Sequence, residues 1–495
     1  MSSLKLHIYI SILLICFSSF LIAQTYKIVG TGQTKFYNAN SEIKAPASGE
    51  EFYGQDASYP ANEPSYKDNN DGTITDLNTG LMWQKYMGDK ITYAEAFVKA
   101  DSLRLGGFTD WRVPTIKELY SLILFTGQVN GATAIKKFID TNYFDQPIGN
   151  TAIGEREIDA QVWSSTQYKG LTMNGDSTVF GVNFIDGRIK GYPEYQPGSN
   201  NSIPRTMYFR MVRGNTYYGK NNFVDNNDGT ISDLATGLMW QKSDDGIARD
   251  WQTALSYSEN LSLAGYSDWR LPSAKELQSI VDYSRSPQTT NSAAINPVFN
   301  TTSIVDPNGK SGQYPYFWSA TSHLDGINPY SAAVYVAFGE AQGKMNGMVM
   351  DVHGAGAQRS DPKSGQASDF PQYFGPQGDV RYVFNYVRCV RTANTATTLG
   401  EKRTLPDSYL IKQNYPNPFN PETVISYQLP VNSRVQIKIY DVVGREVETL
   451  IDEFKNPGIY YSTFSTLHSS LSSGIYFYRI VAGNYSKTMK MICLK

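Results

Sequence analysis

Two short stretches place an acid beside a guanidinium, Asp110-Trp111-Arg112 and Asp268-Trp269-Arg270. An aspartate next to an arginine invites a catalytic reading. Such chemistry needs a nucleophile or a second acid at fixed spacing, and none recurs around the two stretches. The alternative is a tryptophan anchored in a core with a local salt bridge beside it. Burying one Trp removes about 150–250 Å² from water, about 4–6 kcal/mol as an upper bound, so the structural reading is preferred.

An Asp/Asn cluster with a glycine, at 68–72 and again at 225–229, raises calcium as the next chemistry. Aligned as a calcium loop on Gly72 or Gly229, the first ligand position falls on Lys67 or Val224, and the pattern fails at its first acid. The cluster reads as a turn. Histidine is scarce: His323 and His353 have no His or Cys partner at ligand spacing. No phosphate-binding glycine loop, zinc-helix motif or nucleophile elbow is present. Gly354-Ala355-Gly356 lacks the strand and helix such a loop requires. No metal or cofactor is expected, and no enzymatic activity.

These residues recur because most of the chain is written twice. DNNDGTITDLNTGLMWQK at 68–85 returns as DNNDGTISDLATGLMWQK at 225–242, and GGFTDWRVPTIKELYSLI at 106–123 as AGYSDWRLPSAKELQSIV at 264–281. VWSST around Trp163 returns as FWSAT around Trp318, and FRMVR at 209–213 as VRCVR at 387–391. Ordered landmarks of this kind mark a duplicated domain, not a short stacking repeat.

The local signals predict the elements of each copy. NDG favours a hairpin turn, since Asn, Asp and Gly tolerate positive φ, and the following TITDL alternates like a half-buried strand. Thr92 with Glu95, Thr115 with Glu118, and Ser273 with Glu276 form capping boxes, and Asp250 is an N-cap. Pro114 and Pro272 separate loop from helix. Alternating strands follow a long variable loop. The order is hairpin, two helices, loop and antiparallel strands, an α+β arrangement.

The chain of 495 residues has room for two or three domains. Its 44 basic and 46 acidic residues leave a net charge of −2 and no basic run of the kind nucleic acid requires. With 35 Tyr and 41 Gly it suits a loop-rich extracellular protein. Lys5 and His7 precede an apolar run at 8–22, with Ala23 small before a cut ahead of Gln24, a signal peptide too short to span a membrane. No membrane span is expected in the mature chain. Cys16 lies in the signal, Cys389 is matched by Met211 in the first copy, and Cys493 lies in the last segment. Stability is therefore expected from packing and not from a disulfide.

The expected organisation is a signal peptide at 1–23, a lead-in at 24–67, repeats at 68–214 and 223–391, a polar linker at 392–404 and a third module at 405–495. The variable region of copy two gathers Tyr314, Tyr316, Tyr330, His323, Lys344, His353 and Arg359. Aromatic and hydrogen-bonding side chains on loops suit glycan or protein recognition, and these seven are the candidate ligand-binding residues.

The series TDLNTGLMWQK, DWRVPTIKEL, WSST and FRMVR resembles the Lcl C-terminal domain family, named for a collagen-like bacterial adhesin. That family is similar in layout to C-type-lectin-like folds, and the resemblance implies two tandem C-type-lectin-like α+β domains. A described adhesin of the family binds sulfated glycosaminoglycans, which implies a polysaccharide or glycosaminoglycan-like ligand. The sequence departs from a calcium-dependent lectin site: Trp163 and Trp318 are followed by Ser-Ser and Ser-Ala instead of Asn-Asp. The segment NYPNPFNPETVISYQLP at 414–430, with IKIYDVVGREVETL and SSGIYFYRIVAGNYSKTMKMICLK, resembles the type A sorting domain of the type IX secretion system. It implies a small β-sandwich, passage through that machinery, and a place outside a Gram-negative cell or on its surface. The expected function is a secreted or surface binding protein or adhesin. The alternatives are a structural surface-layer component and a secreted hydrolase.

Overall fold

The computed structural model describes residues 25–131, 134–173, 175–196, 199–393, 408–414, 417–455, 458–466 and 471–494. The expected signal peptide and most of the expected linker lie outside them. The chain divides into two units, Met1–Thr392 and Ala393–Lys495.

In the first unit each copy begins as its turn residues dictate. Asn70 and Gly72 take φ of 58° and 86°, Asn227 and Gly229 take 58° and 89°, the left-handed region that Asn and Gly enter at least cost. The acids of the cluster are occupied by the turn itself. Asp68 accepts from Asn70 N and pairs with Lys85 at 2.6 Å, Asp71 accepts from Thr73 N, and Asp225 pairs with Lys242 at 2.5 Å. Copy one thereby builds β1 (Tyr66–Asp68), β2 (Thr73–Asp76) and β3 (Leu81–Gln84), followed by α1 (Tyr93–Ser102), α2 (Ile116–Tyr120), β4 (Val162–Gln167), β5 (Thr178–Asn183), β6 (Arg188–Pro193) and β7 (Val212–Gly214). Copy two answers with β8 (Phe223–Asp225), β9 (Thr230–Asp233), β10 (Leu238–Gln241), α3 (Trp251–Glu259), α4 (Ala274–Ser279), β11 (Tyr316–His323), β12 (Ala332–Ala337), β13 (Gln358–Pro362) and β14 (Val390–Thr392).

The duplicated landmarks occupy matching places. Trp83 sits between Ile74 and Val212 in the sheet β7-β3-β2-β1, and Trp240 between Ile231 and Val390 in β8-β9-β10-β14. Trp111 and Trp269 are buried, each donating from Nε1 to a carbonyl, Leu105 or Leu263, at 3.2 Å. The third pair is less alike, since Trp318 Nε1 donates to Arg249 O at 2.8 Å while Tyr93 meets Trp163 edge-on at 5.8 Å.

The acid and arginine flanking each anchoring Trp do not pair with one another. Asp110 accepts from Arg213 and Asp268 from Arg391, both at 2.7 Å. Arg112 forks onto Glu118 at 2.7 and 2.6 Å, and Arg270 onto Glu276 at the same distances. Glu118 and Glu276 are the capping-box acids of α2 and α4, already pinned by backbone N–H groups, so a planar guanidinium finds a pre-set carboxylate. The DWR, KEL and final-strand motifs thus form one ion-paired clasp per copy.

The copies also share a sheet. β4, β5 and β6 run into β13, β12 and β11, giving six strands in the order β11-β12-β13-β6-β5-β4, joined where Gln358 faces Ile189. The strand order is its own mirror about the β13–β6 joint, and α2 packs against α4. One core runs through both copies, from Trp83 and Phe125 to Trp240 and Phe317. Across both units strands hold 37% and helices 10% of the described residues, so the protein is mainly β, and the element order expected from the sequence comes with far less helix than an α+β class suggests.

In the second unit, strands at 410–411, 422–429 and 458–465 form one sheet, and 446–455, 433–440, 474–482 and 485–493 another. Ile425, Tyr427, Val435, Ile437, Tyr478 and Met491 share one core, the small all-β sandwich expected.

Candidate functional site

Where the two copies meet, the shared sheet borders a cleft of about 470 Å³. Copy one supplies Asn130 and Arg188. Copy two supplies Asp325, Asn328, Tyr335, Arg359, Ser360, Asp361, Phe370, Phe374, Asp379 and Arg381. Arg188 pairs with Asp325 across the joint, and Asn130 Nδ2 donates to Asp325 Oδ1 at 2.9 Å. Arg359 pairs with Asp379. Burial alone would raise both acids, but Arg188 holds Asp325, and Arg359 holds Asp379, well below the usual carboxylate range. Arg381 lies over the rings of Phe370 and Phe374, at 5.4 and 4.4 Å. Asp361 is pushed up by burial to about 6, with Asn385 donating to it at 3.0 Å. The cleft therefore combines an aromatic rim with three guanidiniums matched by three carboxylates.

The seven sequence candidates divide around it. Only Arg359 lines it. Tyr316, His323 and His353 are buried, which removes them from direct contact with a ligand; they stand behind the lining. Tyr316 stacks on Tyr335 at 4.6 Å, and His353 Nε2 sits 2.7 Å from Asp379 Oδ1. His323 Nδ1 lies 2.8 Å from Ser360 Oγ and its Nε2 2.9 Å from Asp186 O. A carbonyl only accepts, so Nε2 carries the proton and Ser360 donates to Nδ1. The remaining three lie apart. Tyr330 stacks on Tyr37 of the lead-in at 5.7 Å, Tyr314 donates to Asn291 O at 3.1 Å, and Lys344 lies 4.8 Å over Tyr373.

The Ser360–His323 pair has the outline of a nucleophile with its base. Burial lowers His323 to about 4, and the Arg188 charge adds to the effect. A base that weak takes a serine proton poorly at neutral pH. Sequence reading missed Phe370, Phe374 and Arg381. Their signal was the extra chain between β13 and the VRCVR strand, longer and more aromatic than its counterpart in copy one.

Comparison with known proteins agrees with this layout. Residues 72–213 and 229–352 match the Lcl C-terminal domain, and residues 413–494 match the secretion system C-terminal sorting domain. The latter indicates export by type IX secretion to the cell surface or extracellular space in Bacteroidetes, and with it an interaction with that machinery. No helix among the described residues is long and apolar enough to cross a membrane. No curated protein matches the chain. Among solved structures, PorZ, an essential bacterial surface component of the type-IX secretion system of Porphyromonas gingivalis, is 10% identical over 86% of this chain and 69% of its own, with a TM-score of 0.14. At that score the likeness carries no argument.

Proposed function

Because the chain belongs to the Lcl C-terminal domain family, we propose that it is a non-enzymatic binding protein of the cell surface, C-type-lectin-like in its body, that takes an extracellular polysaccharide in the cleft between its two copies. The observation that carries this reading is Arg381 laid across Phe370 and Phe374 at the mouth of a polar cleft. Exposed rings stack on sugar faces, and fixed Arg, Asp and Asn groups serve sugar hydroxyls as donors and acceptors.

The charge balance narrows the ligand. Arg188 and Arg359 are already paired with Asp325 and Asp379, so the cleft offers little net attraction to a sulfated chain, and the whole protein is slightly acidic. A neutral polysaccharide suits it better than a glycosaminoglycan. The weak base behind Ser360 supports binding over hydrolysis. A glycan array probed with the secreted chain tests the proposal: neutral oligosaccharide hits support it, and an array without hits contradicts it.

A further inference from the structure

The duplication carries an internal comparison: the lead-in is seated against copy two, with a cleft of about 720 Å³ left beside Arg270 and Glu276, whereas among the described residues no matching segment is seated against copy one. On copy two, Thr31 and Thr321 both donate to Asp56 Oδ2, at 2.7 and 2.6 Å. The Gln33 side-chain amide donates to Ser322 O of copy two at 2.7 Å and to Phe125 O of copy one at 2.9 Å, and Phe125 N donates to Thr31 O at 2.8 Å. This stretch therefore lies between copy two and the chain that follows α2 in copy one. The Tyr59 ring lies 5.1 Å from the Arg270 guanidinium, and its hydroxyl donates to Glu259. Phe52 packs on Trp251 at 6.3 Å. The lead-in is thus a peptide seated by one carboxylate, one amide and aromatic rings.

Copy one keeps the receiving half of this arrangement. Thr166 Oγ1 accepts from Ile116 N at 3.0 Å, as Thr321 Oγ1 accepts from Ala274 N at 2.9 Å. Thr321 gives its own proton to Asp56, whereas Thr166 lines a cleft of about 600 Å³ with Arg112, Lys117 and Tyr283. The Arg112 side chain is 30% exposed against 11% for Arg270. Phe97, the counterpart of Leu255, is 41% exposed against 1%. Chain connection explains the difference. Tyr26 and Tyr218 pack on one another at 4.9 Å, but the chain after Tyr218 turns into β8, while the chain after Tyr26 runs on to Gln33.

We propose that this cleft of copy one docks an extended, singly acidic peptide segment of another polypeptide, its carboxylate accepting from Thr166 and an aromatic side chain covering Tyr93 and Phe97, as Asp56 and Phe52 serve copy two. Hydrogen bonds along the segment supply affinity and the ring and acid positions supply selectivity. Asp282 on the opposite wall repels a second carboxylate, which limits the segment to one acid among apolar neighbours. The site takes one wall from copy one and another, with Asp282 and Tyr283, from copy two, but it shares no lining residue with the Arg188–Arg381 cleft and does not depend on polysaccharide binding.

A labelled peptide of residues 52–61, whose single acid is Asp56 and which keeps Phe52, is the probe, titrated into the full chain by fluorescence anisotropy. Saturable binding is expected, weakened about tenfold or more by Asp56→Asn in the peptide, since an ionised acceptor is worth at least 1.4 kcal/mol over a neutral one. Phe97→Asp in the chain, an exposed position, is expected to weaken it comparably, as is Thr166→Val with the circular dichroism of the fold retained. No saturation, or binding indifferent to Asp56→Asn and Phe97→Asp, overturns the proposal. So does binding lost with Thr321→Val but kept with Phe97→Asp, which would place the peptide on copy two, and so does self-association of the chain that Phe97→Asp abolishes, which would make the occupant a second copy.

Discussion

Lys117 donates to the carbonyl of Ser279 at 2.7 Å, and Lys275 donates to the carbonyl of Ser121 at 2.8 Å. The two lysines are the same residue of the duplicated KEL motif, and the two serines close the same helices. Each copy therefore caps the other's helix across the joint. The lysines also reach chain that approaches each copy, Gly219 O for Lys117 and Gly30 O for Lys275.

This exchange predicts a pH dependence. Burial lowers Lys117 to about 8 and Lys275 to about 7. A lysine whose folded value lies below its unfolded value binds more protons when unfolded, so stability rises with pH between the two. The denaturation midpoint of the body is expected to climb from pH 7 to pH 9. Lys275→Met is expected to lower stability by about 1–3 kcal/mol at pH 9, because two buried carbonyls lose their donor, and to flatten the climb. A variant with the wild-type slope would show that Lys275 is already charged in the folded protein.

The shared sheet and continuous core predict that the two copies unfold together. Calorimetry of the body is expected to give one transition whose calorimetric and van't Hoff enthalpies agree. A truncated chain holding copy one alone would expose the β6 edge and the α2 face, and is expected to aggregate or remain partly folded. Two resolved transitions in the intact body would contradict the shared core.

Deleting residues 405–495 is expected to leave the protein in the periplasm of its native host, since the sorting domain supplies the export signal. Cell fractionation with surface proteolysis reads the outcome, and undiminished surface display of the truncated chain would refute it.

Much of each copy was legible because it is written in local chemistry. NDG dictates a turn, a Thr or Ser three residues before a Glu dictates a helix start, and a Trp in an apolar context dictates a core. The partners of Asp110 and Arg112 were not legible, since Arg213 lies a hundred residues from one of them and only the folded sheet brings the pair together. The β6–β13 joint escaped for a related reason: edge pairing between copies leaves no period in the sequence of either. Tyr316, His323 and His353 have side chains suited to binding, but burial places them behind Tyr335, Ser360 and Asp379, where they shape the cleft without touching its contents. The counterpart of the Phe370–Arg381 segment in copy one is shorter and poorer in aromatic residues, so the repeat gave no template for it.

The claim that the cleft between the copies binds polysaccharide is tested most directly by titrating the best neutral oligosaccharide from the array into wild-type, Phe374→Ala and Arg381→Ala chains, at low and moderate salt. The account predicts a loss of about tenfold in each variant, one stacked contact being worth about 1–1.5 kcal/mol, and an affinity that salt leaves nearly unchanged. Equal affinity in all three chains, or binding confined to sulfated ligands with a steep salt dependence, would contradict it.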